Sequence, residues 1–110
     1  MKPHRSQARP RTIPPEGYAR LARQMKCLAH PGRLRLLAEL MRTDRCVGEM
    51  QRCAGLSQPQ VSQSLKLLRE AGLVSSRREK RRVCYTLSDR TVRRALRILL
   101  KGVKEHGRRH

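Results

Sequence analysis

Apolar residues recur along the chain with two different periods. From Tyr18 the positions Tyr18, Leu21, Ala22, Met25 and Leu28 fall three or four apart, the spacing of one helical face. Pro15 suits the first turn of that helix, and His30-Pro31-Gly32 interrupts it. A second helix starts near Pro31 and places Leu34, Leu37, Ala38 and Met41 on one stripe. After a turn at Thr43-Asp44, a short helix runs from about Val47 to Ala54 with Val47, Met50 and Ala54 inward, and Gly55 stops it. Ser57, two residues before Pro59, reads as an N-cap, and Val61, Leu65 and Leu68 form the buried stripe of the helix it opens, which ends at Gly72. The period then changes. Leu73-Val74 and Val83–Leu87 read as two strands with Glu79-Lys80 near the hairpin tip. Ser88 or Asp89 caps a last helix to about Lys104, whose apolar set is Val92, Ala95, Leu96, Leu99, Leu100 and Val103.

This order predicts a mainly α (α+β) winged helix-turn-helix: about five helices plus a two-stranded hairpin wing. Its residues divide into a flexible arm over 1–15, a folded domain over 16–105 and a basic tail over 106–110. The chain has 110 residues, no Trp, no Phe and two Tyr, so its core must be small and aliphatic. The last helix carries a broad apolar stripe at the end of a chain short of core, and Tyr18, Leu21 and Met25 offer a matching one. Burial between two subunits makes a homodimer; burial within one subunit is the alternative.

Charge narrows the class of partner. Lys plus Arg total 27 against 8 acidic residues, a formal charge of +19. Runs lie at 1–15, at RREKRR (77–82) and at 101–110. Such clusters gain free energy by displacing counterions from phosphates. There is no run of apolar residues long enough for a membrane span and no apolar segment at the N-terminus for a secretory signal, so a cytoplasmic protein with four reduced thiols is expected. No phosphate-binding Gly loop, Ser-His-Asp set or close acid pair suggests an enzyme.

The helix from Ser57 has the chemistry of a DNA-reading element. One face is aliphatic; the other presents Ser57, Gln58, Gln60, Ser62 and Gln63, short polar groups able to meet base edges in a major groove, with Lys66 placed for phosphate. Arg77, Arg78, Lys80, Arg81 and Arg82 on the hairpin suit the neighbouring backbone. Competing readings are a small basic RNA- or ribosome-binding protein, opposed by the lack of an aromatic stacking platform, and a DNA-binding repressor with no small-molecule inducer or one controlled by thiol oxidation.

The segments CLAHPGRLRLLAEL (27–40), CVGEM (46–50), GLSQPQVSQSLKLLREAGLV (55–74) and RREKRRVCYTLSD (77–89) resemble the ArsR/SmtB winged-helix repressors. The resemblance implies a homodimer joined through its first and last helices, a two-fold double-stranded operator and release by an inducer. It places Gln58, Gln60, Ser62 and Gln63 at the family's base-reading positions. It also puts Lys80 where the family usually has a turn glycine, so the hairpin tip is expected to be longer or differently shaped.

The inducer is less legible. In the family's Cys-x-Cys box Cys46 fills the first place, but Gly48 replaces the second cysteine. Cys46 and Cys53 are the sensor candidates, with soft metals, arsenite and thiol-reactive species all suited to thiolates. On a straight helix they stand about 10.5 Å apart along the axis. That exceeds what one zinc or a disulfide spans, unless Cys46 is non-helical or pairs with another cysteine. Cys27 and Cys84 read as packing residues. In the family's last-helix metal site Asp89 and Glu105 match the carboxylates, but Thr91 and Gly102 stand in the histidine places, so zinc is not expected there and Asp89 reads as a helix cap. His106 and His110 are four apart but share the tail with Gly107; His4 and His30 read as solvent-facing.

Overall fold

The computed structural model describes the backbone of residues 12–43 and 45–108, and the side chains of all of these except 45–47 and 106–108. The arm over 1–11, Asp44 and the side chains of Cys46, His106 and His110 therefore lie outside the described residues. The elements are α1 (Pro15–Leu28), α2 (Pro31–Arg42), β1 (Arg45–Cys46), α3 (Val47–Ala54), α4 (Gln58–Glu70), β2 (Val74–Glu79), β3 (Arg82–Leu87) and α5 (Arg90–Arg108).

Proline starts three of these helices. Pro15, Pro31 and Pro59 sit at N1 or N2, where a missing N–H costs nothing. His30, expected to face solvent, is exposed and also caps α2: its Nδ1 accepts from the Gly32 and Arg33 amides at 3.0 and 3.4 Å. Gly72 (φ 76) closes α4 in the left-handed region, and the Leu73 amide donates to the Leu68 carbonyl at 3.0 Å. Asp89 caps α5 by accepting from the Val92 amide at 2.9 Å. The backbone of α5 continues to Arg108, beyond the expected end near Lys104 and into the segment read as a tail.

The core is aliphatic throughout. Leu36, Leu37 and Leu40 of α2 meet Met50 and Ala54 of α3, Val61, Leu65 and Leu68 of α4, and Leu73, Val74, Leu87, Val92 and Leu96 from the rest of the chain. The inward stripe of α2 differs from the expected one: Leu36 and Leu40 are buried, whereas Leu34, Ala38 and Met41 are half-buried. The run LRLLAEL supports two overlapping stripes, and packing against α3 and β3 selects the one through Leu36 and Leu40. Two part-buried polar links tie distant segments of the fold together. Gln24 Nε2 donates to the Ala71 carbonyl at 3.3 Å and to Asp89 Oδ2 at 3.4 Å. Arg93 donates to the Leu87 and Met41 carbonyls.

The sheet holds three strands among the described residues, in the order β1-β3-β2: the expected two-stranded hairpin and, beside it, a short strand the sequence did not announce. β2 and β3 form the hairpin, from Val74 opposite Leu87 to Glu79 opposite Arg82. β1 adds two residues to the other edge of β3, Arg45 opposite Tyr85 and Cys46 opposite Cys84. A two-residue strand has no periodicity to read, and its partner lies far along the chain. The hairpin tip is not lengthened: Lys80 itself takes φ 58 and makes the tight turn a glycine would make.

α5 carries two apolar stripes. Val92 and Leu96 are buried and Leu100 is half-buried, while Ile98 and Leu99 are 71% and 63% exposed and Val103 is 70% exposed. On α1, Tyr18, Leu21 and Met25 are likewise exposed. The alternative in which both stripes close within one subunit therefore fails for these residues. Among the described residues no helix is long and apolar enough to cross a membrane.

Candidate nucleic-acid interface

α3, the turn at Gly55 and α4 make the helix-turn-helix. Gly55 has φ 66, a conformation that suits glycine. The Arg35 guanidinium lies against this turn, its Nη2 3.4 Å from where a Cβ on residue 55 would stand, an ordinary contact distance. Arg35 therefore overlies the turn and brings a cation to it. Nothing in the sequence marks Arg35 for this place, because it belongs to α2 and only the tertiary fold carries it here.

α4 is anchored on one side by Val61, Ser64, Leu65 and Leu68, all buried. Helical geometry puts Ser62, Gln63 and Lys66 opposite that anchor, and all three are exposed. Gln58 and Gln60 flank this ridge on either side. The start of α4 is a capping box: Ser57 Oγ accepts from the Gln60 amide at 3.3 Å, and Gln60 Oε1 accepts from the Ser57 amide at 2.8 Å. The Gln60 carbonyl oxygen is thus engaged in the cap, leaving its Nε2 for other partners. Gln58 Nε2 donates to Ser62 Oγ at 3.3 Å, which joins those two candidates on one flank. Gln60 and Gln63 line a cleft with His30, Arg33 and Leu56 on the other.

The wing places Arg78, Lys80, Arg81 and Arg82 at or near its tip, all exposed. Arg77 differs, because its Nε donates to Glu79 Oε2 at 3.1 Å, which offsets part of its charge. Together α4 and the wing present polar groups and cations that match the two needs of duplex recognition, base edges and phosphates.

The thiols are arranged otherwise than the helix spacing implied. Cys46 lies in β1, ahead of α3, so a straight-helix separation from Cys53 does not apply to it. Cys53 is an exposed free thiol on α3. Cys84 is buried and disulfide-bonded, against the expectation of four reduced thiols and a merely packing role. The register of β1 on β3 sets the Cα of Cys46 opposite that of Cys84. Cys27 is half-buried and packs against the edge of the core, as its packing reading expects. Burial pushes its thiol above the usual value, partly countered by the Arg33 guanidinium, whose Nε donates to the Cys27 carbonyl. Among the described residues no cluster of three or more His, Cys, Asp or Glu side chains is disposed to hold a metal ion. Glu105 is exposed, and Asp89 is engaged as a cap.

Comparison with known proteins matches this arrangement. The profile of the bacterial regulatory protein, arsR family, matches residues 30–76, from the cap of α2 into β2. A biofilm growth-associated repressor of Agrobacterium fabrum is 40% identical over 75 residues, covering 68% of this chain and 64% of that protein. The chain spans about three fifths of the length of curated relatives it matches. Among solved structures, the transcriptional repressor BigR from Xylella fastidiosa superimposes with a TM-score of 0.72 at 30% identity, covering 90% of this chain and 95% of that one. A homodimeric winged helix-turn-helix DNA-binding domain from Mycobacterium bovis, described as a possible ArsR-family transcriptional regulator, gives 0.74 at 30% identity, covering 84% and 86%. With the helix-turn-helix, the wing and the flanking helices all in place, the chain belongs to the ArsR family of bacterial regulatory proteins.

Proposed function

We propose that the protein is a sequence-specific, double-stranded-DNA-binding transcriptional repressor that acts as a homodimer and leaves its operator when an inducer reaches its thiols. The observation that carries this reading is the two-sided character of α4, docked by Val61, Leu65 and Leu68 with Ser62, Gln63 and Lys66 outward beside a basic wing. In this reading Gln63 and Ser62 read base edges. Lys66, Arg78, Lys80, Arg81 and Arg82 hold phosphates, Arg35 adds a cation at the turn, and Ser57 and Gln60 hold the helix start in shape.

The exposed stripes of α1 and α5 support the dimer. Ile98, Leu99 and Val103 with Tyr18, Leu21 and Met25 offer an apolar surface that a second copy would remove from water. A two-fold pair sets its reading helices in successive major grooves, about 34 Å apart. The net charge of +19 supports a polyanionic partner, and the scarcity of aromatic residues favours duplex DNA over stacked single-stranded RNA. The relatives named above are themselves described as repressors or regulators.

The experiment is selection from a random duplex pool followed by fluorescence anisotropy on the selected site, a scrambled duplex and an RNA of matching sequence. A two-fold site bound at least about a thousandfold more tightly than the scrambled duplex is expected. Equal affinity for all three ligands, or preference for the RNA, would overturn the reading. Titrating arsenite, cadmium, zinc and peroxide into the complex identifies which thiol-directed species releases the DNA.

A further inference from the structure

Three cations converge on an open cleft that lies beside the DNA-facing ridge. It sits where the last turns of α1 and α4 meet the first turn of α2, and its volume is about 420 Å³. That falls in the range of about 300–1,000 Å³ typical of small-molecule sites. Arg23 and Lys26 reach it from α1, Arg33 from α2 and Glu70 from α4, while Cys27, Leu67 and Ala71 supply its less polar wall. Among the described residues neither Arg23 nor Lys26 forms an ion pair. Arg33 is held at the wall, where its Nε donates to the Cys27 carbonyl, and a guanidinium keeps further N–H donors after one such bond. We propose that this cleft binds a small organic monocarboxylate with an apolar body, and that the bound anion weakens operator binding. The second half of this inference rests on the DNA-binding reading above; the first half does not.

The charge and the wall select this class of ligand. The C-terminal turns of α1 and α4 each bring about half a negative charge to the cleft. Three full positive charges and the N-terminus of α2 outweigh them, even with Glu70 counted. A guanidinium fork pairs with a carboxylate through two parallel N–H···O bonds, and Lys26 adds a second cation beside it. The apolar body has its own partner. Among the described residues the exposed large apolar side chains lie on α1, on α5 and just before α1, with one exception, Leu67. Leu67 stands in this cleft, so a ligand with a hydrocarbon body removes it from water and a hydrated inorganic anion does not. The proposed dimer leaves the cleft open, because Arg23 and Cys27 stand about 140–180° around α1 from Tyr18 of the apolar stripe.

Two residues connect the cleft to the reading helix. Arg33 and Leu67 also line the neighbouring cleft that holds Gln60 and Gln63. Leu67 follows Gln63 by one turn on the same side of α4. A carboxylate that draws the Arg33 head toward itself takes it away from Gln60 and Gln63. It also sets a negative charge near the end of α4 that carries Lys66, where it repels phosphates. Both effects oppose DNA binding. Linkage makes the coupling reciprocal, so bound operator lowers the affinity for the carboxylate by the same factor.

The test uses the full chain with 2-naphthoate and octanoate, a flat and a flexible body, against the uncharged 2-naphthamide and acetate at one salt concentration. Calorimetry is expected to show at least one of the two larger carboxylates binding at least about tenfold more tightly than both controls. Lys26→Gln and Arg23→Gln are each expected to weaken it at least about fivefold. Lys101→Gln, which removes an exposed cation of α5, leaves it unchanged. Iodoacetamide labelling read by mass spectrometry gives the location. The saturating carboxylate is expected to slow alkylation of Cys27 at least about fivefold and to leave the exposed Cys53 unaffected. Operator affinity is expected to fall at least about fivefold under the same conditions. No binding of either carboxylate, equal affinity for the controls, or an equal loss in Lys101→Gln overturns the ligand class. Unchanged labelling of Cys27 overturns the cleft as the site. Unchanged operator affinity with the carboxylate bound overturns the coupling. Failure to bind DNA without any carboxylate defeats the DNA-binding reading instead, while calorimetry and labelling still decide the site.

Discussion

Ser57 and Gln60 show how one residue pair serves structure beside a site of function. Each satisfies an amide of the other at the start of α4, so the helix begins at a fixed place relative to the Gly55 turn. Ser57→Ala is expected to cost about 1 kcal/mol, read as a fall in Tm of about 4–8 °C. Ser57 was legible as a cap from its place two residues before Pro59. The commitment of Gln60 was not, because a glutamine three residues after a cap is equally plausible as a reader of bases. Cys27 supplies a second residue-scale test. Its thiol is pushed up by burial, so the unfolded chain gives up that proton first as the solution becomes alkaline. The native state then holds the proton more tightly than the unfolded one, and stability falls as pH rises past the ordinary thiol value of 9.0. Thermal melts on either side of that pH are expected to show a smaller alkaline loss for Cys27→Ala than for the wild-type chain.

At the scale of elements, the helix-turn-helix was the most legible part. The bounds of α3 coincide with the expected Val47–Ala54 because Gly55 leaves the helix in a left-handed conformation. β1 was not legible, since two residues show no alternation and their pairing depends on contact with β3. The stripe of α2 was misplaced because a leucine-rich run has apolar residues on more than one face, and only packing decides between them. The wing turn shows the limit of inference from residue type alone. Lys80 adopts φ 58 where glycine would be unstrained, and in return keeps a cation at the tip. Replacement of Arg81, exposed in the wing turn, tests the wing as a phosphate clamp. Arg81→Ala is expected to weaken selected and scrambled duplexes alike and to reduce the slope of log K against log salt by about one. Loss confined to the selected site would assign Arg81 to base reading instead.

The whole molecule shows an aliphatic core too small to use all its apolar surface, with the surplus placed on α1 and α5. The sequence stripes were visible in advance; which residues turned inward depended on α5 carrying two faces at once. Leu99→Glu is expected to leave the fold intact, since Leu99 is 63% exposed, but to convert a sedimenting dimer to a monomer and weaken the selected operator severely. An unchanged dimer would move the interface elsewhere. The central claim concerns the outward ridge of α4, and one comparison tests it most directly: Gln63→Ala against the wild-type chain, titrated by anisotropy into the selected operator and into the scrambled duplex at one salt concentration. The account predicts a loss of about 1–3 kcal/mol on the operator and no change on the scrambled DNA. An equal loss on both duplexes, or none on either, would contradict it.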